Sequence, residues 1–151
     1  MVEDKFEFFA KFSSQFPDNK KPILVGGSAV EFYTRGMAKS IDMDIVADRK
    51  VVEPLLIKQG FIHEDRHFYK GRIDIEIASD LLHGRSNIIS FMGFKINIIS
   101  VEDLIIDRLC GCKFWKSVYD CDQAQMLISA YEDKLDINYM EKRMKEEALD
   151  L

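Results

Sequence analysis

The sequence predicts an α+β fold, and three patterns carry that prediction. Strand-length apolar runs alternate with short helical patterns up to about residue 60. Residues 61–99 read as a succession of short strands separated by turn residues. From Val101 onward the apolar spacing is helical to the end. A chain of 151 residues with 47% apolar content suits a single core, so one domain spanning 1–151 is expected, with an α/β core over 1–100 and a helical segment over 101–151.

Each element has its own signal. Glu3 to Phe16 sets Phe6, Phe9, Phe12 and Phe16 on one side at helical spacing, a stripe suited to core packing, and Pro17-Asp18-Asn19 stops it. Ile23 to Val25 is a short buried strand. Ser28 is expected to cap a helix to about Thr34, with Glu31 completing a capping box, and Arg35-Gly36 breaks it. Ser40 to Val46 reads as a strand whose Ile41, Met43 and Ile45 face a core. Val51 to Gln59 is a second crossover helix, with Pro54 in its first turn and Gly60 at its end. Phe61 to Glu64, His67 to Lys70 and Arg72 to Ala78 are strands, the last two joined by a turn at Gly71. Ile88 to Phe91 pairs with Phe94 to Ile99 through the Gly93 turn. Ser100 with Asp103 makes an N-cap for a helix whose Leu104, Ile105 and Leu109 form an apolar face. Gln123 to Tyr131 and Asn138 to Leu149 follow as helices, and the charged tail from Glu141 to Leu151 is expected to be solvated.

Composition narrows the function classes. A net charge of −5 argues against a general polyanion-binding surface and mildly against a long nucleic-acid groove. No basic leader followed by an apolar run is present, and no apolar stretch approaches the roughly 18 residues that span a bilayer, so a cytoplasmic protein without membrane contact is expected. Cys110, Cys112 and Cys121 then read as reduced thiols, and His63, His67 and His83 as surface or turn residues.

The chemistry concentrates in residues 23–46, ILVGGSAVEFYTRGMAKSIDMDIV. Alternation along a strand sends Asp42 and Asp44 to one face. Two adjacent carboxylates repel, and a strand gains nothing from that pair alone. A hard divalent ion removes the penalty, because Mg²⁺ binds one or two carboxylates together with substrate phosphate oxygens. Gly26-Gly27-Ser28 opens a helix, where bare N–H groups and the helix dipole favour an anion. Arg72-Ile73-Asp74-Ile75-Glu76-Ile77 repeats the alternation, with Asp74 and Glu76 on one face and isoleucines on the other.

The GGS turn followed by the Asp42-Met43-Asp44 strand resembles the nucleotidyltransferase superfamily of polymerase-beta-like enzymes, and within it the small AbiEii-like proteins. Val101 to Leu109, with Asp120 and Gln123-Ala124 downstream, is similar to the helical segment that follows the sheet in those relatives, so the resemblance frames residues 22 to 130. It implies a mixed β-sheet flanked by helices and a C-terminal helical segment. It also implies transfer of a nucleoside monophosphate from an NTP, with Mg²⁺ (or Mn²⁺), to an RNA, protein or small-molecule acceptor. Asp42, Asp44 and a third carboxylate would then be catalytic. Asp74 and Glu76 both match that third position, Glu76 being counted with Asp42 and Asp44 as a metal ligand. Gly26, Gly27, Ser28 and Arg108 would bind the nucleotide, Arg108 standing where the family usually has a lysine. A toxin–antitoxin role with an antitoxin partner belongs to the same resemblance. The alternative is a catalytically degenerate module that keeps the fold and binds a nucleotide or a protein.

Overall fold

The computed structural model describes residues 4–149; Glu3, at the expected start of the first helix, and Asp150 and Leu151, in the charged tail, lie outside the described residues. The strands are β1 (Ile23–Val25), β2 (Met43–Val46), β3 (Ile62–Glu64), β4 (His67–Lys70), β5 (Ile73–Ser79), β6 (Ser86–Phe91) and β7 (Phe94–Ile99). The α-helices among the described residues are α1 (Lys5–Ser13), α2 (Gly26–Tyr33), α3 (Arg49–Lys58), α4 (Val101–Phe114), α5 (Val118–Tyr131) and α6 (Ile137–Glu146). The strands form one mixed sheet in the order β3-β4-β5-β2-β1-β7-β6. β1 pairs antiparallel with β2 and parallel with β7, and β2 pairs parallel with β5. Antiparallel hairpins finish both edges. The expected α+β layout is the observed one.

Burial decides how the central strands face. Met43 and Ile45 of β2 and Ile75 and Ile77 of β5 are all buried in the core. Each such side chain contributes about 2 kcal/mol on leaving water, whereas a cross-strand like-charge pair costs at most about 1 kcal/mol. The apolar residues therefore win, and Asp44 and Glu76 are carried together to the opposite face. A one-residue slip would bury both acids and expose the isoleucines, which fixes the register.

Several expectations are corrected. Asp4 accepts the N–H groups of Phe6 and Glu7 and starts α1, but the helix stops at Ser13 rather than Phe16. There the buried Lys21 Nζ donates to the carbonyls of Ser13 (2.7 Å) and Phe16 (2.8 Å), supplying a cation where the helix dipole is negative. Phe8 joins the core and meets Phe61 at 5.0 Å between ring centroids. Ile41 does not face the core: it is 90% exposed, because residues 41 and 42 form a bend and β2 begins only at Met43. α3 starts earlier than expected, capped by Asp48, which places Pro54 inside the helix rather than in its first turn. α5 likewise starts at Val118, where Ser117 accepts the Asp120 N–H. The tail from Glu141 is not simply solvated, since Met144 and Leu149 are buried in the core cluster.

The thiol expectation also fails. Cys112 and Cys121 are joined in a disulfide, with Cα atoms 4.7 Å apart. The close approach follows from the helical hairpin, which packs the end of α4 on the start of α5. Cys110 is half-buried and unbridged. Among the described residues, no helix is long and apolar enough to cross a membrane.

Candidate active site

The parallel pairing of β2 with β5 sets Asp44 directly opposite Glu76. Two residues before Asp44, Asp42 leaves the bend that precedes β2, and its segment is braced from a distance. Lys5 Nζ donates to Glu31 (2.7 Å) and to the Ser40 carbonyl (2.6 Å), while Glu31 accepts the Ser40 N–H at 2.8 Å. Ser40 Oγ then donates to the Asp42 carbonyl at 2.9 Å. The capping-box role expected of Glu31 is thus replaced by a tie between α1 and the aspartate bend.

The register of the β4–β5 hairpin brings in a residue that the motifs do not contain. His67 pairs with Glu76 across the hairpin, and potential ligand atoms of Asp42, His67 and Glu76 lie within 4.8 Å of one another. His67 Nδ1 lies 2.7 Å from Asp74 Oδ1. His67, expected as a surface or turn residue, is part-exposed on β4 and reaches this group. Its signal was present: Lys70 pairs with Ile73 across a two-residue turn at Gly71-Arg72, and counting back from there sets His67 against Glu76.

Gly26 closes the other side. It has a φ of +63°, and a Cβ there would collide with the Asp44 carboxylate, so only glycine lets the turn pass so close. α2 begins at Gly26 with no side-chain cap, which leaves its first-turn N–H groups without intrahelical partners. A Cβ on Gly27 would meet Ser40 Oγ at 3.1 Å. Ser28 is inside the helix rather than at its cap, and it is fully buried. Its hydroxyl donates to the Val25 carbonyl (3.0 Å) and accepts the Asp44 N–H (3.3 Å), stitching β1, α2 and β2 together.

Gly26, Asp44 and Arg108 line one cavity of about 460 Å³, together with residues of β5, α4 and α6. The Arg108 guanidinium donates to Asp107 (2.6 and 3.1 Å) and to Gln123 (3.1 Å), and lies 3.5 Å from Asp120. Arg108 thus lines the cavity beside Asp44 while its guanidinium is engaged by its helical neighbours.

Electrostatics mark Asp44. Burial, then the charges of Asp42 and Glu76, push its carboxyl up to about 6, against opposing help from Arg108 and His67. Its Oδ1 is sealed from solvent with no hydrogen-bond partner. The hydrogen bond to Asp74 raises the His67 imidazole above its ordinary range, and the charges of Asp74, Glu76 and Asp42 add to this against burial. Crowded carboxylates with an unpartnered buried oxygen fit a divalent cation, which supplies the missing positive charge and the missing contact.

No protein-family model matches the chain, and no curated protein does. Solved structures do. An antigenic nucleotidyltransferase-like protein from Paracoccidioides brasiliensis aligns with a TM-score of 0.62 at 14% identity, over 85% of this chain and 76% of that one. The antibiotic-resistance factor ANT(2'')-Ia aligns with a TM-score of 0.56 at 14% identity, over 94% of this chain and 91% of that one. The fold is nucleotidyltransferase-like. In this nucleotidyltransferase-like fold the sites proposed from the sequence divide cleanly. Asp42 and Glu76 come together with His67, and Asp44 stands opposite Glu76 and against Gly26; Asp74 reaches His67; the Ser28 hydroxyl bonds Val25 and Asp44 from inside the helix.

Proposed function

We propose that the chain is a metal-dependent nucleotidyltransferase that moves a nucleoside monophosphate from an NTP to an acceptor hydroxyl. The observation that carries this reading is the register of Asp44 on Glu76, with Asp42 beside them and Gly26 packed on Asp44. Asp42, Asp44 and Glu76 would hold Mg²⁺ or Mn²⁺. When bound, the ion neutralises the triphosphate oxygens and the charge that develops on the leaving group. The first-turn N–H groups of Gly26, Gly27 and Ser28 bind phosphate oxygens at the positive end of α2. Arg108 faces the same cavity and neutralises further phosphate charge. Glu76 accepts the proton of the acceptor hydroxyl as its oxygen bonds to the α-phosphorus. The bond from the α-phosphorus to the bridging oxygen breaks, and pyrophosphate leaves. Positioning and charge neutralisation supply most of the rate.

An RNA end, a protein side chain or a small molecule can each present the acceptor hydroxyl. We extend the reading to the small AbiEii-like proteins on the strength of the Val101 to Leu109 helix with Asp120 and Gln123-Ala124, and a toxin–antitoxin role belongs to that extension. A catalytically degenerate binding module is the second reading. It is favoured by the Arg108 guanidinium, which is already engaged by Asp107, Gln123 and Asp120.

Calorimetric titration of ATP, CTP, GTP and UTP with Mg²⁺ or Mn²⁺ tests the first reading against the second. Binding is expected to require metal and to vanish in the Asp42→Asn/Asp44→Asn variant. Nucleotide binding indifferent to both would select the degenerate module, and no binding of any of the four would sink both nucleotide readings.

A further inference from the structure

The structure groups the carboxylates of Asp42 and Glu76 with a donor of different chemistry, His67. We infer that His67 is itself a ligand of the divalent ion, through Nε2, and biases the site toward a transition ion such as Mn²⁺ over Mg²⁺. The inference rests on the metal-dependent reading given above and names the ion class of that site.

Geometry carries the argument. Ligands on opposite sides of one small divalent ion stand about 4.2 Å apart, twice a bond length of roughly 2.1 Å. Asp42, His67 and Glu76 bring potential ligand atoms within 4.8 Å of one another before any ion has drawn them in. The hydrogen bond to Asp74 also sets which nitrogen of the neutral imidazole is left to bind. Asp74 is an acceptor, so Nδ1 donates to it at 2.7 Å, and the lone pair is left on Nε2. A carboxylate behind a histidine in this way fixes the tautomer and raises the basicity of the coordinating nitrogen. Tyr69 stacks on the same ring, 5.6 Å between centroids and 18° from parallel, and restricts its rotation. This accounts for Asp74 as well: it is a positioning residue acting through His67, while Glu76 takes the place beside Asp44.

The donor set then discriminates between ions. Mg²⁺ is hard, keeps its waters and prefers oxygen, whereas transition ions accept imidazole nitrogen beside carboxylate oxygen. A competing role is electrostatic only, with a protonated His67 acting as a resident counter-charge for Asp42 and Glu76. The two roles differ in whether nitrogen touches the metal.

Pulsed electron paramagnetic resonance of Mn²⁺ bound to the full chain reads that contact directly. Wild type is expected to show ¹⁴N modulation from a directly bound imidazole, converting to the ¹⁵N pattern when histidine is isotopically labelled. His67→Gln is expected to lose the modulation and to bind Mn²⁺ at least about 10-fold more weakly, with Asp74→Asn weakened by about 10-fold. Mg²⁺ affinity, measured by competition, should change far less in both. The labelled wild-type spectrum decides the point even if a variant folds poorly. Mn²⁺ that binds, depends on Asp42 and shows no nitrogen coupling overturns the role of His67 and leaves the carboxylate site standing. No Mn²⁺ binding at all overturns both.

Discussion

Asp44 and Asp103 are aspartates that line the same cavity, and their surroundings drive them in opposite directions. Asp103 is 3% exposed, and burial alone would raise its carboxyl. Instead hydrogen bonds from Ser100 (2.6 Å), the Arg85 N–H (2.8 Å), Tyr139 (2.7 Å) and Arg143 (3.1 Å) hold it below the usual carboxylate range. Asp44 has like charges for neighbours and an oxygen with no partner. The chemistry of the residue is the same; the completeness of its shell differs. A carboxylate whose bonds are complete ties α4 to α6 and to the segment before β6. One left incomplete lowers stability and is suited to bind something from outside.

The largest test of that contrast is Asp103→Ala. It removes the acceptor for Tyr139, Ser100 and the Arg85 N–H and leaves Arg143 with only Glu146 and Glu147, so urea unfolding should show a loss of about 3 kcal/mol. Gly26→Ala comes next. It forces a side chain into the left-handed region and against Asp44, and should cost about 2 kcal/mol, read as a fall of several degrees in Tm. Smallest and opposite in sign is Asp44→Asn in metal-free protein. The folded carboxyl titrates near 6, above its ordinary 3.8, so the folded state holds the proton more tightly than the unfolded chain. Wild-type stability should therefore fall as pH rises from about 4 to 6, and remain lower above that window. Thermal melts at pH 8 should favour the Asn variant by about 1 kcal/mol, and the gain should vanish near pH 4. A variant less stable than wild type at pH 8 would show that Asp44 already has its partner.

What was legible in the sequence was whatever depends on near neighbours. The alternation of Met43 and Ile45 with Asp44, and of the isoleucines with Asp74 and Glu76, gave the strands and their acidic faces. Ile41 was misread because the same alternation was run through a bend that the Lys5, Glu31 and Ser40 bonds impose from elsewhere in the chain. That Glu76, and not Asp74, lies opposite Asp44 follows from the parallel register of β2 on β5, which no local pattern supplies. The Asp103 shell draws on Arg85, Tyr139 and Arg143, each well removed in sequence, so only its Ser100 cap was foreseen. The Cys112–Cys121 bridge was missed for the same reason, since it depends on how two helices dock.

The sheet order has an evolutionary consequence. Asp44 and Glu76 stand on β2 and β5 near the middle of the sheet, and His67 on β4, next to the edge strand β3, with Phe68 buried behind it. Mutation at residue 67 can exchange the imidazole for another donor without disturbing the buried isoleucines. The donor at residue 67 is thus free to change between lineages while Met43, Ile45, Ile75 and Ile77 hold the core in place.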